Sequence, residues 1–318
     1  MPIIVKPNLT NIEQAAISLH EGRLVAFPTE TVYGLGADAT NDAAVAQIFK
    51  AKGRPRFNPL IVHIADSKNA NEISMLNELS ECLIEKFWPG PLTLVLARRE
   101  DSPLSLLVSA GLDSVAVRQP AHPVARALLR ATGRPLAAPS ANRSGRLSPT
   151  TAAHVGDSLG ESVAMILDGG PCSRGLESTI VQVSDTQATL LRPGAVPRAE
   201  IESVLGQHLT KPPRENLPTA PGQLASHYAP EHVLRLNVHH VEADETLLAF
   251  GQPVEGSPRA MLNLSPSGDL MEAAANLFSH LRILDQKSSA RIAVMPIPQD
   301  GLGEAINDRL ARAAAPRG

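Results

Sequence analysis

The stretch LVAFPTETVYGLGAD, residues 24–38, joins a short apolar run to a segment of small polar residues. The run from Leu24 to Phe27 is typical of a buried strand. Behind it, residues 26–38 contain two threonines, one tyrosine, two glycines and two carboxylates. The stretch therefore predicts a buried strand that ends in a loop rich in hydroxyl groups, and it raises the question of what those groups surround.

Similar strand-like runs recur through the N-terminal two thirds of the chain and alternate with helical patterns. Further strands are predicted at Leu60 to Ile64, Leu92 to Leu96, Val115 to Val117, Met165 to Leu167, Thr179 to Val183 and Ala188 to Leu191. Helices are predicted at Ala43 to Lys52, Glu72 to Phe87 and Pro123 to Ala131, after a first helix that begins at a capping box of Thr10 and Glu13 and ends at Gly22. The alternation predicts an α/β domain with helices packed against a sheet, whose strand order the sequence does not reveal.

The composition changes after residue 208. The segment KPPRENLPTAPGQLASHYAP, residues 211–230, contains five prolines in twenty residues and has no sustained periodicity, which is typical of a semi-rigid linker. Short strands are predicted beyond it at Val233 to Val238, Thr246 to Phe250, Ala260 to Leu264 and Arg291 to Ile297, and a helix at Glu304 to Ala314. Another helix is predicted from Asp269, with an apolar stripe of Leu270, Ala273, Ala274, Leu277, Phe278, Leu281 and Leu284. We therefore predict a first domain over residues 1–208, a linker over 209–231 and a smaller α/β domain over 232–318.

Composition excludes several classes of protein. Hydrophobic residues make up 43% of the 318 residues, yet no apolar stretch approaches the length of a membrane-spanning helix. The start MPIIVKPNLTNIEQ lacks the pattern of a secretory signal, so we expect a cytoplasmic protein with no membrane partner. Cys82 and Cys172 belong to no C-x-x-C pair, which gives no basis for a disulfide framework or a zinc site. A formal net charge of -3 disfavours a protein whose main task is to wrap nucleic acid.

The segment KGRPRFNP, residues 52–59, places three cations in five residues between a predicted helix and a predicted strand. Gly53 stands where a helix C-cap is expected. Solvated charge near a helix C-terminus would explain such a segment. Because arginine and lysine also match phosphate oxygens, a polyphosphate clamp is the alternative, and it needs donors from elsewhere in the chain.

Two other segments offer such donors. Period two places Ser114 and Arg118 on one face of a strand. In PSANRSGRLSPT, residues 139–150, Ser148 followed by Pro149 fits a helix N-terminus, where free N–H groups attract anions. Ordinary strand exposure and turn chemistry would also explain these segments. The chain contains no G-x-S-x-G elbow, P-loop, H-E-x-x-H or dinucleotide fingerprint, and its second domain contains no polar cluster that resembles a site.

Eight motifs, taken in order, resemble the two-domain threonylcarbamoyl-AMP synthase family, whose N-terminal domain is YrdC-like. They are PTETVYGLG (28–36), KGRPRFNPL (52–60) with His63 after it, WPGPLT (88–93), VAVR (115–118), PSANRSGRLSPT (139–150), LESTIV (176–181), LRPG (191–194) and SHYAP (226–230). The resemblance covers nearly the whole chain. It implies an α/β fold with a YrdC-like twisted mixed sheet, flanking helices and an open cavity, plus a smaller Rossmann-like α/β C-terminal domain.

The resemblance also implies an activity, a nucleotidyltransferase reaction that makes L-threonylcarbamoyladenylate and pyrophosphate from L-threonine, bicarbonate and ATP. The product would serve threonylcarbamoyladenosine modification of tRNA, and a downstream tRNA threonylcarbamoyl-transfer complex would consume it. Magnesium would accompany ATP and be held by phosphates and water rather than by a metal site of the protein. No stable complex with nucleic acid is expected.

The same resemblance assigns residues to the two larger substrates. ATP contacts are implied for Lys52, Arg54, Asn58, Ser114, Ser140, Asn142, Ser148, Arg192 and Tyr228, with Lys52 and Arg54 carrying the catalytic charge. Threonine contacts are implied for Thr31, His63, Arg118, Ala138 and Ser178. The hydroxyl-rich loop would then line a cavity for polar substrates, and catalysis would depend on positioning and charge neutralisation. Tyr228 raises the further hypothesis that the linker closes over ATP, although Gln223 to Ala225 lacks the charge found in some relatives.

Two alternatives to this activity remain at the level of sequence. An RNA-binding module would use the KGRPR and NRSGR segments as basic loops, but only 3% of the residues are aromatic and could serve as stacking platforms. A carbamoyltransferase of the hydrogenase-maturation type would share the cavity fold. The chain has neither the zinc-finger cysteines nor the acylphosphatase-like segment of that type.

Overall fold

A large mixed sheet and a small parallel sheet organise the protein. The structure is a computed structural model that describes residues 3–212, 220–222, 226–288 and 290–316. The strands are β1 (Ile4–Val5), β2 (Val25–Phe27), β3 (Gly34–Asp38), β4 (Ile61–His63), β5 (Leu92–Ala97), β6 (Ser114–Arg118), β7 (Leu136–Ala137), β8 (Met165–Leu167), β9 (Thr179–Val183), β10 (Ala188–Arg192), β11 (Val233–Arg235), β12 (Thr246–Ala249), β13 (Ala260–Asn263) and β14 (Arg291–Val294). The helices are α1 (Leu9–His20), α2 (Asp42–Lys52), α3 (Ala70–Ile73), α4 (Glu78–Phe87), α5 (Pro123–Thr132), α6 (Ala152–Leu159), α7 (Arg198–Leu205), α8 (Leu270–Lys287) and α9 (Gly303–Ala314). None of the helices in these described residues is both long and apolar enough to cross a membrane.

The large sheet has its strands in the order β1-β8-β2-β3-β7-β4-β6-β5-β9-β10. At its centre β4 and β6 run parallel, with His63 beside Arg118. β9 pairs with β5 in parallel and with β10 in antiparallel orientation. The result is the mixed sheet that the sequence predicts, and the candidate site lies at the ends of several of these strands.

The glycines of the opening stretch lie in a strand that the sequence analysis assigned to the loop. β3 pairs antiparallel with β2, so that Val25 faces Gly36 and Phe27 faces Gly34. A Cβ atom on Gly36 would lie 2.8 Å from a ring carbon of Phe27. The phenylalanine ring therefore packs directly over the neighbouring backbone, which is a reason for glycine within a strand.

Helices cover both faces of the large sheet, and the alternation along β2 separates two hydrophobic clusters. Val25 and Phe27 pack with α1 and α5, where Leu128 is one of the buried side chains. Ala26 belongs to the other cluster, which includes Ile48 of α2. This period-two division is what a strand buried on both faces produces.

The second sheet is parallel throughout, in the order β11-β14-β12-β13. The side chain of Asp269 caps α8 by accepting from the backbone N–H groups of Met271 and Glu272 at 2.6 and 3.0 Å. The stripe predicted for this helix is buried at Ala273, Ala274, Leu277, Phe278, Leu281 and Leu284. This small α/β unit agrees with the prediction of a Rossmann-like C-terminal domain.

Two helix boundaries differ from the prediction. Asn8 caps α1 by accepting from the backbone N–H of Asn11 at 2.8 Å, so the helix begins before the capping box expected at Thr10. The helix expected from Glu72 to Phe87 is broken, because Asn77 caps a new helix there and its side chain accepts from the backbone N–H of Ser80. Both errors arise because asparagine caps helices as well as serine or threonine does.

The predicted linker lacks regular structure where it is described, in residues 209–212, 220–222 and 226–231, apart from isolated bridges of Thr210 with Thr189 and of Ala229 with Arg146. The segment Gln223 to Ala225 lies outside the described residues. Along the chain, the last strand of the large sheet ends at Arg192 and the first strand of the small sheet begins at Val233. The domain boundaries at residues 208 and 231 stay predictions.

Candidate active site

A cavity of about 50 Å³ lies where the large sheet meets the linker. Its walls come from the loop between β2 and β3, the segment after α2, the ends of β4, β6 and β10, and the residues that follow β7 and precede β9. Four linker residues, Pro221, Gly222, His227 and Tyr228, complete the wall. The cavity thus gathers segments that are far apart in sequence.

Thr29 organises the hydroxyl-rich loop after β2. Its Oγ1 donates to the backbone oxygen of Val32 at 2.7 Å and accepts from the backbone N–H groups of Thr31 and Val32 at 3.2 Å each. The hydroxyl oxygens of Thr29 and Thr31 are 2.7 Å apart. Local bonds of this kind fold a turn without bulky side chains. The hydroxyl groups in the opening stretch therefore shape one wall of the cavity.

Arg118, at the end of β6, is held in the wall by three acceptors. Its Nε donates to the carbonyl of Gly90 at 3.1 Å and its Nη1 to Oγ1 of Thr31 at 3.0 Å. Its Nη2 donates to Glu30 at 2.5 Å in an ion pair whose side chains are only 4% and 10% exposed. Burial by itself would raise the pKa of Glu30, but the charge and hydrogen bond of Arg118 lower it. Arg118 is therefore a fixed cation whose charge is balanced inside the protein.

His63 lies next to Arg118 on the parallel strand β4. Its buried Nδ1 has no hydrogen-bond partner among the described residues. Burial, assisted by repulsion from Arg118, lowers the pKa of His63 to about 3. The imidazole is therefore neutral near pH 7 and can offer its free nitrogen to a ligand.

Arg54 follows the left-handed C-cap Gly53 at the end of α2, where the glycine has φ 61° as the sequence predicts for a cap. Its Nη2 donates to Oδ1 of Asn58 at 2.6 Å, and its Nε donates to the carbonyl of the same residue at 3.1 Å. Burial lowers the pKa of Arg54 to about 10, so the side chain keeps its charge at neutral pH. Asn58 therefore supports Arg54, while its own Nδ2 is buried without a partner in the described structure.

Lys52 connects the end of α2 to residues 139–142, the PSAN loop, by hydrogen bonds. Its buried Nζ donates to the backbone carbonyls of Ser140 and Asn142 at 2.6 and 2.5 Å. Burial, together with repulsion from Arg54, lowers the pKa of Lys52 well below its ordinary value. The amine stands behind the cavity wall, where it fixes the loop that carries Ser140.

The PSAN loop is fixed from two further directions. Ser140 forms an isolated antiparallel bridge with Gly34, next to the cavity. The Nδ2 atom of Asn142 donates to the carbonyls of Arg143 and Arg146 at 2.9 and 2.8 Å. The Oδ1 atom of Asn142 is buried with no partner in the described structure. The loop thus holds an unused acceptor close to a wall residue.

Arg192 and Ser178 form the opposite wall. The guanidinium donates to the carbonyl of Ser178 at 2.7 Å and to its hydroxyl at 3.2 Å. The Ser178 hydroxyl is 2.7 Å from that of Thr93. A Cβ atom on Gly194 would lie 2.5 Å from the carbonyl oxygen of Glu177, so this glycine permits the two segments to pack closely. The LRPG motif (191–194) and the start of the LESTIV motif (176–181) therefore pack against each other and together form this wall.

Ser148 does not start a helix, contrary to the prediction. The following helix α6 begins at Ala152 with Thr151 as its N-cap, because the Thr151 hydroxyl accepts from the backbone N–H of His154. The Ser148 hydroxyl instead donates to Oε1 of Glu177 at 2.5 Å. An anion site at a helix N-terminus is thus absent at Ser148, which supports the wall through Glu177.

The linker wall contains two aromatic side chains in contact. The rings of His227 and Tyr228 are 4.0 Å apart between centroids, and Tyr228 has a left-handed backbone with φ 62°. Burial lowers the pKa of His227 to about 3 and raises that of Tyr228. The Nδ1 atom of His227 and the phenolic oxygen of Tyr228 are buried without partners in the described structure. Both atoms belong to wall residues and have hydrogen-bonding capacity that no described residue uses.

Comparison with known proteins identifies the family. Residues 18–194 match the Sua5/YciO/YrdC family model, described as telomere recombination, and residues 196–315 match a model described as threonylcarbamoyl-AMP synthase, C-terminal domain. The threonylcarbamoyl-AMP synthase of Bacillus subtilis is 41% identical, over 98% of this chain and 94% of that protein. The chain belongs to the threonylcarbamoyl-AMP synthase family. The Pyrococcus abyssi threonylcarbamoyl-AMP synthase is 40% identical over 96% of this chain and 94% of its own length.

The fold matches that of a family member throughout. A crystal structure of P. abyssi Sua5 complexed with L-threonine superposes with a TM-score of 0.90 and 37% identity, and the match covers 99% of this chain and 97% of that one. The predicted combination of a YrdC-like domain and a smaller C-terminal domain is confirmed.

Most of the side chains that the family resemblance assigns lie in the cavity wall. The wall includes Thr31, Arg54, His63, Arg118, Ala138, Ser140, Ser178, Arg192 and Tyr228. Lys52, Asn58 and Ser148 lie outside it but bond to wall residues, and Asn142 accepts from Lys52. Ser114 lies outside the wall at the other end of β6 from Arg118. The ligands assigned to these residues stay predictions.

Sequence reasoning missed two buried acids and one arginine of the synthase fold. Glu30 balances Arg118, and Glu177 is a wall residue whose carboxylate accepts from Ser148 and from Arg309 of α9. Arg309 belongs to the second domain, where the sequence indicated no polar cluster that resembles a site, and it reaches Glu177 from outside the cavity wall. Its position among the buried residues of α9 was the available signal, because a charged residue on an apolar helix face needs a partner.

The described residues contain no group of three or more histidine, cysteine or acidic side chains able to hold a metal ion. The acids at the cavity are already engaged, since Glu30 pairs with Arg118 and Glu177 with Arg309.

Proposed function

We propose that this protein makes L-threonylcarbamoyl-AMP and pyrophosphate from L-threonine, bicarbonate and ATP, and so acts as a nucleotidyltransferase. The observation that supports this most directly is the placement of Arg118, Arg54 and Arg192 around one cavity lined with hydroxyl groups. A small amino acid carboxylate and a polyphosphate are the anions that such an arrangement suits. The names of the family members that match over the whole chain point to the same reaction.

The reaction needs orientation more than proton transfer. The amine of threonine adds to bicarbonate with loss of water and forms a carbamate. A carbamate oxygen then attacks the α-phosphorus of ATP, the bond from that phosphorus to the bridging oxygen breaks, and pyrophosphate leaves. Holding both substrates side by side makes the second step effectively unimolecular, which lowers its entropic cost. Fixed cations stabilise the negative charge that develops on the leaving pyrophosphate.

Threonine is proposed to bind at the Arg118 side of the cavity. The guanidinium would pair with the substrate carboxylate, and Thr31, Ser178 and the backbone at Ala138 would surround the rest of the amino acid. His63 remains neutral near pH 7, and its free Nδ1 suits a hydrogen bond to a substrate hydroxyl or amine. A neutral imidazole there can accept a hydrogen bond from the amine that must react, which a protonated imidazole cannot.

ATP is proposed to bind at the Arg54 and Arg192 side. Arg54 and Arg192 would contact phosphate oxygens directly, and Ser140 and Tyr228 would complete this side of the wall. Ser114, outside the wall, is proposed to contact a part of ATP that extends beyond the cavity. Lys52 would act through the loop that it holds and through its charge. Because a bound polyphosphate adds negative charge close to Lys52, binding would favour the protonated form of this amine. The free Nδ2 of Asn58 and Oδ1 of Asn142 would add a donor and an acceptor.

Magnesium is proposed to enter as part of the MgATP substrate. Phosphate oxygens and water suit this ion, which commonly keeps several of its waters. Bound in this way, it would neutralise part of the phosphate charge beside Arg54 and Arg192.

We further propose that the linker opens to admit ATP. Small-molecule sites commonly have volumes of roughly 300 Å³ or more. The cavity has about 50 Å³ with Pro221, Gly222, His227 and Tyr228 in its wall. These linker residues are the part of the wall that is not anchored in the large sheet, so they are the part proposed to move.

The assay that tests the function is pyrophosphate release from MgATP, with threonine and bicarbonate omitted in turn. Release that requires both, together with a product of the mass of threonylcarbamoyl-AMP, is expected. Release that continues without threonine would refute the proposal. The competing RNA-binding interpretation is weakened because Lys52 and Arg54 are buried, and it predicts salt-sensitive RNA binding without threonine-dependent turnover. A cytoplasmic location and transfer of the product to a tRNA-modifying complex complete the proposal.

A further inference from the structure

Arg309 is the part of the C-terminal domain that the proposed function leaves without a role. It lies on α9 with 1% of its side chain exposed, and it is the largest of the fully buried side chains in the described structure. Arginine is rarely buried to this extent unless its charge and donors are matched. Its partners therefore indicate what it does.

The guanidinium of Arg309 contacts three segments outside its own domain. Nε donates to Oε2 of Glu177 at 2.8 Å, and Nη2 donates to the carbonyl of Pro193 at 2.9 Å. The guanidinium carbon lies 4.9 Å from the centre of the Tyr228 ring, within the range of a cation–π contact. Nη1 donates to Asp308 on its own helix at 2.5 Å, which orients the group. One planar side chain thus joins the LEST, LRPG and SHYAP segments.

Each of these contacts lies directly behind the proposed ATP side of the cavity. Glu177 uses its other oxygen to accept from Ser148. Pro193 follows Arg192, whose guanidinium is part of the wall. Tyr228 is the linker residue with the left-handed backbone, and its ring is also stacked near Phe278 of α8 at 5.6 Å. Arg309 itself is not in the wall.

We propose that Arg309 is a positioning residue for the ATP half of the reaction, acting through Glu177 and Tyr228. This inference rests on the proposed function, because it assigns ATP to that side of the cavity. Arg309 holds the linker tyrosine against the cavity and fixes the wall on both sides of Arg192. The C-terminal domain is then part of the catalytic unit, because one of its side chains sets the shape of the nucleotide site.

A second ion pair between the same domains provides a matched control. Arg198 of α7 pairs with Glu304 of α9 at 2.5 Å, with side chains 28% and 32% exposed. This pair joins the two domains from the same helix as Arg309, and its hydrogen bonds in the described structure run between Arg198 and Glu304 rather than to a wall residue. Glu304→Gln therefore tests domain contact alone, and Arg309→Lys tests the planar group while a positive charge stays near Glu177.

The experiment compares wild type, Arg309→Lys and Glu304→Gln. Circular dichroism checks folding, kinetics give kcat and the KM values for ATP and threonine, and calorimetry gives the affinity for α,β-methylene ATP. For Arg309→Lys we expect a folded protein whose KM for ATP and dissociation constant for the analogue rise roughly tenfold or more, since small displacements in a site have effects of that size. The KM for threonine should change less than about twofold, and Glu304→Gln should match wild type throughout.

Three results would overturn the inference. These are wild-type ATP parameters in a folded Arg309→Lys variant, an equal change in Glu304→Gln, and failure of Arg309→Lys to fold. The last result would make Arg309 a residue of folding rather than of positioning. The proposed function fails separately, if wild type releases no pyrophosphate in the presence of threonine and bicarbonate. The calorimetric comparison with the ATP analogue still decides the role of Arg309 in that case.

Discussion

Replacement of Glu30 by glutamine should destabilise the free protein and increase its response to threonine. The substitution preserves the shape of the side chain but removes the negative charge that faces Arg118. Glu30 also accepts from the backbone N–H groups of Ala121 and His122 at 3.1 and 3.3 Å. A glutamine has one oxygen for these opposed donors, so its NH2 group must face either the guanidinium or the backbone N–H groups.

The size of the effect follows from the burial of the pair. With side chains 4% and 10% exposed, Arg118 loses its counter-charge in a place that water hardly reaches. Removal of one partner from a buried ion pair costs about 3–5 kcal/mol. Bound threonine would bring a carboxylate to the same guanidinium and replace part of what was lost. The variant should therefore gain more stability from saturating threonine than wild type does.

Urea unfolding with and without threonine measures both effects. Trp88, the single tryptophan of the chain, is a suitable fluorescent probe, because it lies two residues before Gly90, whose carbonyl accepts from Arg118. Asp101→Asn, which removes the exposed partner of Arg99, is the control and should unfold like wild type. A loss of about 1 kcal/mol or less, as for surface pairs, would refute the buried-pair reasoning. An equal gain from threonine in both proteins would refute the proposed role of Arg118.

Other consequences can be measured with simple variants and conditions. Arg54→Ala should abolish threonine-dependent pyrophosphate release without changing the circular dichroism spectrum, and retained release would remove the phosphate clamp from the proposal. Gly222→Ala should lower activity, since its Cβ would lie 2.8 Å from the phenolic oxygen of the linker tyrosine, whereas Gly206→Ala, with a similar positive φ and nothing within 4 Å, should not. His63 and His227 have folded-state pKa values of about 3, below the ordinary 6.5, so protons bind preferentially to the unfolded chain. Their stabilising contribution is therefore complete above pH 6.5 and falls by about 1.4 kcal/mol per histidine and pH unit below it, which urea unfolding at pH 7.5 and 5.5 can check.

The elements that the sequence predicted well are those with a strong period and a clear end. The helix from Asp269 begins at its cap and buries the predicted stripe, because spacing and capping indicate the same boundary. The strand Gly34–Asp38 was missed because glycine and alanine have low strand propensity, and its cause is the Phe27 ring on the neighbouring strand. A contact between strands decides this element, and local sequence does not contain that information.

The same distinction applies to the site. The motifs identified most of the wall residues through the family resemblance. Residue chemistry alone pointed to the basic segment with Arg54 and to the strand face with Arg118, but not to Thr31, His63, Ser178 or Tyr228. The pairing of the site residues depends on contacts that span long stretches of chain, as in Lys52 with the carbonyl of Ser140, 88 residues away. Contacts between residues far apart in sequence also explain why some predictions for single residues were wrong. Ser148 was expected to cap a helix, and it bonds instead to Glu177, 29 residues away.

The position of the linker and the buried charge of Arg192 both affect the proposed free energy of ATP binding. With about 50 Å³ of free space, the cavity is smaller than small-molecule sites commonly are, which is the reason for the proposal that the linker moves before ATP binds. Arg192 donates to the carbonyl of Pro221 at 3.3 Å, so opening breaks a hydrogen bond to an arginine proposed to bind phosphate. Phosphate oxygens can then take the place of that carbonyl. In the proposed mechanism the linker would therefore compete with the nucleotide for Arg192, and its opening would add to the free-energy cost of ATP binding. A linker that returned over bound ATP would bring Tyr228 back to its contact with Arg309, so the second domain would contribute to closure only with the tyrosine in place.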